Sequence, residues 1–335
     1  MTSRQRVMTV LDGGVPDRVP FFDWVDAGFR DKLAAHLGRD TLDNLECVRV
    51  LGMDALYYER PYSMTPISDE TSADDTGRVH YLGHGLIKTP EDLAEMVFPD
   101  PATPGYFDDA KRFVDSYGDE DLALYAGLRP GIQPTILSLG WKGFSRSVVK
   151  KTGMVERLFA RYVEWCQANL EGLQELGFDF LVLYDDMAFK SGMMFAPDVY
   201  REVFLPGYRE LVDAIKIPWG YHSDGDLNPV LDDLLSLGMN MLNPVEPPCM
   251  DIDEVKRVHG HRVALWGNID MVHTLYDSPL EVVDAEVKQR IEEIGVGGGY
   301  VCASANSIAD YLSVENVLCM AEAVKKYGKY PLNGS

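Results

Sequence analysis

The stretch of the chain with the most capacity for chemistry is residues 219–226, which read WGYHSDGD. It follows a short apolar run and precedes an amphipathic run at residues 227–237, the pattern of a strand, a polar loop and a helix. A neutral imidazole beside carboxylates can bind a divalent metal or move a proton. The alternative is a loop in which Asp224 or Asp226 caps the next helix and His222 is only hydrogen-bonded. Polar residues at the ends of the neighbouring predicted strands favour the metal-binding or proton-transfer interpretation of this loop.

Polar side chains also follow the other apolar runs. The full set is Asp23, Glu59, Asp185, Asp186, His222, Asp224, Glu246, Asp270 and Asn306. In a parallel barrel the carboxyl ends of the strands converge on one mouth, where such groups meet. Carboxylates a few ångströms apart raise each other's pKa unless a cation lies among them. We therefore expect a metal, a cationic substrate or protonated acids at this mouth. The alternative is ion pairing with the basic residues near strand ends, which are Arg60, Arg129 and Lys190.

A metal site is the first of these possibilities. One imidazole together with carboxylates and an open position suits zinc. We predict His222 as a ligand, and we predict that the carboxylate ligands come from a pool of three residues. That pool is Asp186, Asp224 and Glu246, of which two or three bind at once.

Aromatic residues lie close to the same strand ends. They are Trp24, Tyr57, Tyr58, Tyr62 and Phe189. Such side chains can line an apolar pocket for a flat ring, although most aromatic residues of a barrel serve packing. The substrate-binding residues that we predict at the mouth are Asp23, Trp24, Glu59 and Asn306.

Eight apolar runs alternate with helical patterns. The predicted strands are residues 18–24, 54–60, 122–127, 178–184, 217–221, 239–242, 262–266 and 300–303. The longest predicted helices are residues 156–176 and 197–215, and residues 129–131 are predicted to form a turn. Near-continuous apolar strands between helices indicate a parallel sheet covered on both faces. The predicted fold class is α/β, a (β/α)8 TIM-type barrel that forms a single domain over residues 1–335 with N-terminal elaborations.

An open doubly wound sheet is the alternative fold. It is disfavoured because no G-x-G-x-x-G follows an early strand. Walker A, G-x-S-x-G and H-E-x-x-H motifs do not occur in the sequence either.

The composition limits the partners of the protein. The 335 residues carry a net charge of −22, and such a field repels phosphate backbones and anionic lipids, so we expect neither nucleic acid nor a membrane as partner. The sequence has no apolar run of about 18 residues, and its N-terminus reads as a helix rather than a signal peptide, so we expect a cytoplasmic protein. The five cysteines are scattered, so disulfides are not expected. Cys249 or Cys302 could supply a thiolate to the metal, although each is more typical of a buried core cysteine.

Several segments together resemble the uroporphyrinogen-decarboxylase-like superfamily. They are R-V-P at residues 18–20, H-S-D-G at 222–225, G-N-I-D at 267–270, the glycine-rich run 297–303 followed by Asn306, E-N at 315–316 and Y-G-K-Y at 327–330. The resemblance covers nearly the whole chain and implies a distorted (β/α)8 barrel. The superfamily holds decarboxylases of the tetrapyrrole pathway and zinc-dependent methyltransferases that pass methyl groups to or from a corrinoid. The resemblance therefore implies zinc, and cobalamin supplied by a partner corrinoid protein.

Two departures from the superfamily patterns narrow the expected reaction. The decarboxylases carry R-Q-A-G-R after the first strand to grip substrate carboxylates, whereas residues 23–30 here read DWVDAGFR. An acidic mouth without the first arginine would repel a polycarboxylate. Methyltransferases that reload coenzyme thiols use H-x-C and a later cysteine for zinc, and Asp224 and Asn306 stand at those two positions here. Harder ligands suit an oxygen-bearing donor, so the resemblance is closest to the first methyltransferase of corrinoid-dependent O-demethylase systems.

The expected activity is methyl transfer from a small donor to the cobalamin of a corrinoid protein. An aryl methyl ether is the first expectation for the donor, and an amine or a thioether is the alternative. In this hypothesis His222 and Asp186 hold the metal as catalytic residues, and Tyr58 or a nearby acid protonates the ether oxygen. One alternative is a metal-independent decarboxylase of a tetrapyrrole or other carboxylic acid. It would need a cation in the mouth, for which the candidates are Arg30, Arg60 and Arg129. Another alternative is a corrinoid- or tetrapyrrole-binding module without catalysis.

Overall fold

The computed structural model of the protein describes residues 1–60, 71–73, 79–81 and 83–332. Tyr62, which the sequence places near the second strand end, lies outside these residues. None of the helices within the described ranges is long and apolar enough to cross a membrane.

A curled sheet of seven parallel strands forms the centre of the molecule. Two further antiparallel strand pairs, Thr71–Ala73 with Val79–Tyr81 and Ala188–Phe189 with Gly192–Met193, are not part of this sheet. In chain order the strands are β1 (Ala55–Tyr58), β2 (Thr71–Ala73), β3 (Val79–Tyr81), β4 (Ala123–Leu128), β5 (Phe180–Tyr184), β6 (Ala188–Phe189), β7 (Gly192–Met193), β8 (Trp219–His222), β9 (Met241–Asn243), β10 (Ala264–Ile269) and β11 (Tyr300–Ser304). The sheet order is β1-β4-β5-β8-β9-β10-β11, with every pairing parallel. The fold is therefore the predicted α/β barrel, with strand ends directed to one mouth.

The segment that precedes β1 closes the barrel without forming a regular strand. Phe21 makes an isolated parallel bridge to Cys302 of β11, and the carbonyl of Phe21 accepts the N–H of Asp54 at 2.7 Å. Pro20 has no N–H, and the N–H of Phe21 is taken by the Asp54 carboxylate at 2.9 Å. The prediction of a regular strand at residues 18–24 is therefore wrong, because the segment makes only isolated bridges. The segment nevertheless occupies the eighth position of the barrel.

Helices connect the strands and cover the outside of the sheet. They are α1 (Ser3–Leu11), α2 (Ala27–His36), α3 (Asn44–Leu51), α4 (Pro90–Glu95), α5 (Asp108–Tyr117), α6 (Ile132–Lys150), α7 (Met154–Glu175), α8 (Pro197–Val199), α9 (Leu205–Asp213), α10 (Leu231–Leu235), α11 (Ile252–His259), α12 (Leu280–Ile294) and α13 (Val314–Tyr327). A π-helical turn at Tyr200–Phe204 joins α8 to α9. The helix predicted at residues 156–176 is α7, and the one predicted at residues 197–215 is the α8–α9 segment.

Sequence reasoning missed helix α6, which begins directly after the turn at residues 129–131. Pro134 and two glycines weaken its helical pattern. Pro134 lies in the first turn, where its missing N–H costs no hydrogen bond. Gly140 has φ of 64° and ψ of 158°, so the helix is kinked there. The kink breaks the 3.6-residue period from which the helix would have been predicted.

Aromatic side chains fill the interior of the barrel. Phe22 packs against Trp266 with ring centroids 4.7 Å apart, and Tyr125 stacks on Phe180 at the same distance. All four are fully buried. Because the interior is packed, the functional cavity is confined to the mouth. The five cysteines are free thiols, as predicted.

Candidate metal centre and substrate cavity

A cavity of about 810 Å³ opens at the carboxyl ends of the strands. Most of the predicted site residues line it. They are Asp23, Trp24, Glu59, Asp186, His222 and Asn306. The barrel therefore brings together groups that are far apart in the sequence.

His222, Asp186 and Asp224 form one cluster at this mouth. Nε2 of His222 lies 3.8 Å from Oδ1 of Asp186 and 3.7 Å from Oδ1 of Asp224. Among the residues that the structure describes, these three form the group whose ligand atoms, all within 4.8 Å of one another, could hold a metal ion. Two ligand atoms of a tetrahedral zinc ion lie roughly 3.3 Å apart. The cluster is therefore slightly wider than a closed zinc site and needs only small side-chain movements to fit one.

Asn243 fixes the orientation of the His222 ring. Its Nδ2 donates to the carbonyl oxygen of Trp266 at 2.7 Å, so its Oδ1 faces Nδ1 of His222 as an acceptor. Nδ1 must carry the proton in that hydrogen bond, and in the neutral ring the lone pair then lies on Nε2. The unprotonated Nε2 can then bind a metal ion beside the two carboxylates, whereas a ring protonated on both nitrogens would itself be the cation that pairs with them.

One carboxylate oxygen of Asp224 accepts a hydrogen bond, and the other has no hydrogen-bond partner among the described residues. Nδ2 of Asn306 donates to its Oδ2 at 2.5 Å. Its Oδ1 is buried and accepts no hydrogen bond from any part of the chain that the structure describes. Burial, together with the charges of Asp186 and Glu246, raises the pKa of Asp224 to about 6, and His222 and Asn306 oppose the rise. A bare buried carboxylate oxygen is costly unless a cation or a proton satisfies it.

Asp186 is held from two sides. Its Oδ2 accepts from Nε2 of Gln133 at 2.8 Å, and its Oδ1 accepts the backbone N–H of Asp224 at 3.1 Å.

Asp224 precedes Gly225, which has φ of +85° and packs against the β6–β7 hairpin. A Cβ at residue 225 would lie 2.6 Å from the carbonyl carbon of Ala188, so the loop can approach the hairpin only with glycine there.

Glu246 does not join the cluster, contrary to the prediction that it belongs to the pool of ligands. Its Oε1 lies 3.2 Å from Nζ of Lys190, and its Oε2 accepts the N–H of Gly225 at 2.9 Å. The ion pair neutralises this acid, which is the alternative that the sequence left open for Lys190. Neither Cys249 nor Cys302 belongs to the cluster. Burial raises the pKa of the Cys302 thiol to about 12.

The structure does not place Tyr58 at the mouth, contrary to prediction. Its ring packs against Phe113 and Phe178, with centroids 5.4 and 5.7 Å away. Successive side chains of a strand point to opposite faces, so Tyr57 lines the cavity and Tyr58 faces the helices. The hydroxyl of Tyr57 lies 3.4 Å from that of Tyr184, which also lines the cavity. Burial raises the pKa of Tyr57 well above its usual value, so the hydroxyl keeps its proton.

Two of the acids at strand ends serve to cap helical segments. Asp185 is fully buried and accepts the N–H groups of Gly131, Ile132 and Gln133 at 2.6 to 2.9 Å. It thereby caps helix α6. Asp270 accepts the N–H groups of residues 272 and 273 at 2.7 and 2.8 Å and caps the π-helical turn that follows.

Asp23 is a buried carboxyl group on the wall of the cavity. Its oxygens accept the N–H of Ser304 at 2.7 Å and of Trp24 at 2.9 Å. Burial raises the pKa of Asp23 to about 7, although both N–H groups oppose the rise. An acid with this pKa is partly protonated near neutrality and can donate a proton.

Trp24 forms the wall between the cluster and the tyrosines. Its ring meets His222 edge-on at 5.2 Å and Tyr57 edge-on at 6.3 Å. Phe189, also predicted near the pocket, instead lies half exposed against Trp141 at 5.6 Å. The cavity thus offers a flat aromatic surface next to the cluster.

The mouth is less acidic than the strand ends alone indicate. Arg30, Arg60 and Arg129 line the cavity together with the acids. Arg30 lies 3.7 Å from Glu59, which pairs part of this charge. The expected repulsion of a polycarboxylate from the mouth is therefore incomplete, because the acidic cluster and the arginines occupy the same cavity.

The comparisons with known proteins agree with this architecture. The profile of the uroporphyrinogen decarboxylase (URO-D) family matches residues 137–327, more than half of the chain. The solved structure of a methyltransferase from Methanosarcina mazei superposes with a TM-score of 0.78 at 20% identity, covering 98% of this chain and 99% of that chain.

Two relatives are methyltransferases by name. Methylcobamide:CoM methyltransferase MtaA from Methanosarcina barkeri is 27% identical over 219 residues, which span 65% of this chain and 62% of the relative. The protein of the same name from Methanosarcina barkeri strain Fusaro is 22% identical over 343 residues, covering 97% of this chain and 98% of the relative. From the match over residues 137–327 and the shared barrel, the chain belongs to the uroporphyrinogen decarboxylase (URO-D) family.

Proposed function

We propose that the protein is a metal-dependent methyltransferase. It moves a methyl group from a small donor, an aryl methyl ether, to the cobalamin of a partner corrinoid protein. The observation that carries the proposal is the buried, unpartnered Oδ1 of Asp224, 3.7 Å from Nε2 of His222 at the cavity. The similarity to corrinoid-related methyltransferases over nearly the whole chain supports the reaction class.

The residues present fit a zinc ion. Asp186, His222 and Asp224 would hold it, and the cavity leaves an open side for a donor. Bound there, zinc would supply a Lewis acid for the donor oxygen. Gln133 and Asn306 keep the two carboxylates in place.

The other cavity residues bind the donor and manage the proton. Trp24 and Tyr57 offer flat faces to an aromatic ring, and the Tyr57–Tyr184 hydroxyl pair supplies hydrogen bonds near it. The methyl–oxygen bond breaks with its electron pair left on the oxygen, while the reduced corrinoid supplies the pair that forms the new bond to the methyl group. Asp23 can then protonate the phenolate.

An oxygen-bearing donor is proposed because the cluster contains no thiolate. The relatives named above act on CoM according to their names. The cluster here consists of one imidazole and two carboxylates, and such harder ligands suit an oxygen donor better than a thiol.

The proposal is tested with the purified protein and chemically reduced cobalamin as acceptor. We expect close to one zinc per chain, release of phenol from methoxybenzene or of 4-hydroxybenzoate from 4-methoxybenzoate, and a matching change in the cobalamin spectrum. Protein treated with a chelator should lose this activity and regain it with zinc. Zinc-loaded protein that demethylates no methoxylated, methylamino or methylthio donor would contradict the proposal.

A second candidate is a metal-independent decarboxylase of a tetrapyrrole or another carboxylic acid. Arg129, which lines the cavity, favours it, because this guanidinium could bind a substrate carboxylate. Carbon dioxide release from uroporphyrinogen by chelator-treated protein would support this candidate, and complete dependence on zinc would contradict it.

A further inference from the structure

Arg129 is an arginine of the cavity wall whose N–H groups have no partner among the described residues. It follows β4, is half-buried, and its guanidinium lies 5.4 Å from the centre of the Tyr184 ring. Across the ranges that the structure describes, no carboxylate lies within ion-pairing distance of Arg129, and its N–H groups make no hydrogen bond. Stacking on Tyr184 fixes the plane of the guanidinium and leaves its N–H edge available.

The other two arginines of the cavity already have partners for their N–H groups. Arg30 donates to the carbonyl of Val25 at 2.7 Å and lies 3.7 Å from Glu59. Arg60 donates to Oδ1 of Asn169 at 2.7 Å and stacks on Trp165. Arg129 therefore differs from both in offering all its donors to a ligand.

Negative and positive groups lie at different strand ends within the cavity. The chain carries a net charge of −22, so its general field disfavours anions. Within the cavity the acids of the cluster lie at the ends of β5 and β8, whereas Arg129 lies at the end of β4. A ligand with an anionic group at one end and an ether at the other would match both poles of this cavity.

We propose that Arg129 binds a carboxylate carried by the methyl donor, so that the preferred donors are methoxylated aromatic acids rather than neutral ethers. The inference rests on the proposed function, because it takes the ligand of the cavity to be the methyl donor. A planar guanidinium with two parallel N–H groups binds a carboxylate through two hydrogen bonds, and half-burial strengthens them. The ring of the donor would lie along Trp24 and Tyr57, between the two poles.

The test compares two ligands of the same shape that differ in charge, 4-methoxybenzoate and 4-methoxybenzamide. Each is titrated calorimetrically into wild-type protein and into Arg129→Gln. We expect the wild type to prefer the benzoate, and Arg129→Gln to bind the benzoate ~10- to 100-fold more weakly while its affinity for the benzamide changes little. Equal affinity of wild type and Arg129→Gln for the benzoate, or no binding of the benzoate to the wild type, would overturn the proposal.

Two further variants control for nonspecific effects. Arg146→Gln removes an exposed arginine of helix α6 that does not line the cavity and should leave benzoate affinity unchanged. Arg129→Lys keeps the charge but loses the planar fork, so its benzoate affinity should lie between those of wild type and Arg129→Gln. Thermal unfolding confirms that each variant is folded.

The inference and the proposed function fail in different ways. Benzoate binding that depends on Arg129, without release of 4-hydroxybenzoate to reduced cobalamin, would support the anion site and contradict methyl transfer. Equal release of 4-hydroxybenzoate by wild type and Arg129→Gln at low donor concentration would support methyl transfer and overturn the anion site.

Discussion

Asn243 holds the imidazole of His222 through Nδ1, and this contact decides which ring nitrogen faces the carboxylates. The carbonyl of Trp266 fixes the amide of Asn243 in turn. A chain of three residues from β8, β9 and β10 thus turns Nε2 of His222 toward Asp186 and Asp224. Because Nδ1 is engaged by Asn243, Nε2 is the ring nitrogen that can bind a metal ion beside the two acids.

Replacing His222 tests the cluster directly. His222→Ala removes the nitrogen ligand, so we expect the zinc content of the purified protein to fall well below one per chain and demethylation to fall ~10²- to 10⁴-fold. His261→Ala is the matched control, because His261 is exposed and lies outside the cavity. Normal zinc content and normal turnover in His222→Ala would remove the metal centre from the proposal.

Asn243→Ala tests the support of the ring rather than the ligand itself. Without the amide the imidazole can rotate and change its tautomer, so we expect zinc affinity to fall ~10- to 100-fold. Competition with a chromophoric chelator measures the affinity, and the thermal midpoint of the metal-free protein reports any general damage from this buried change. A loss of stability with unchanged zinc affinity would make Asn243 a packing residue only.

The sequence predicted the barrel and the cluster because both follow from simple regularities. Near-continuous apolar runs between helical patterns indicated a parallel sheet, and a parallel barrel brings the residues that follow its strands, Asp186 and His222 among them, to one mouth. The side-chain partners could not be predicted. Glu246 lies near a strand end like the ligands, but its pairing with Lys190 depends on the fold of a loop.

The wrong placement of Tyr58 at the mouth follows from the geometry of a strand. Two adjacent tyrosines in a strand point to opposite faces, and nothing in a four-residue strand tells which one faces inward. Asn243 and Gln133 were missed because an amide carries no charge or ligand signature. Asn243 was nonetheless the last residue of a buried strand, which is the position where the other site residues were sought.

Removing the hydroxyl of each neighbouring tyrosine in turn tests whether Tyr57, rather than Tyr58, acts in the cavity. Tyr57→Phe removes a hydroxyl that faces Tyr184 in the cavity, so we expect demethylation to slow ~10-fold or more. Tyr58→Phe removes a buried hydroxyl that has no hydrogen-bond partner in the described part of the chain, so activity should stay normal and stability should not fall. Steady-state rates and unfolding midpoints of both variants decide between the two residues.

The raised pKa of Asp23 gives stability a defined pH dependence. The folded-state pKa of about 7 lies above the unfolded value near 3.8, so the folded protein holds a proton that the unfolded chain has released between these values. The stability contributed by this group is complete below pH ~4 and is lost as the pH rises to about 7. We expect Asp23→Asn to flatten the decline in the free energy of unfolding between pH 5 and 7 by up to ~3 kcal/mol.

Denaturant titrations at several pH values measure this difference, and parallel profiles for the two proteins would mean that Asp23 ionises normally. Demethylation provides a second measurement. If Asp23 donates the proton, the wild-type rate should decline as the pH rises through about 7, whereas Asp23→Asn should be slow at every pH.

The ring of Tyr184 occupies space that only glycine at residue 127 leaves open. A Cβ on Gly127 would lie 2.4 Å from Cε1 of Tyr184 and 3.4 Å from the ring of Tyr57. Gly127→Ala must therefore displace Tyr184 within the cavity, and Arg129, which stacks on that ring, would move with it. We expect the KM for the donor to rise ~10-fold, with a smaller effect on kcat, because the cluster at His222 is not touched.

Gly143→Ala is the matched control for this change. The new Cβ would lie 3.6 Å from Cβ of Leu139, an ordinary contact on helix α6, and alanine favours the helix. Its KM and kcat should equal those of the wild type. An unchanged KM in Gly127→Ala would mean that the donor does not use the side of the cavity formed by Tyr184 and Arg129. A fall in kcat alone would instead place the reacting bond next to Tyr184.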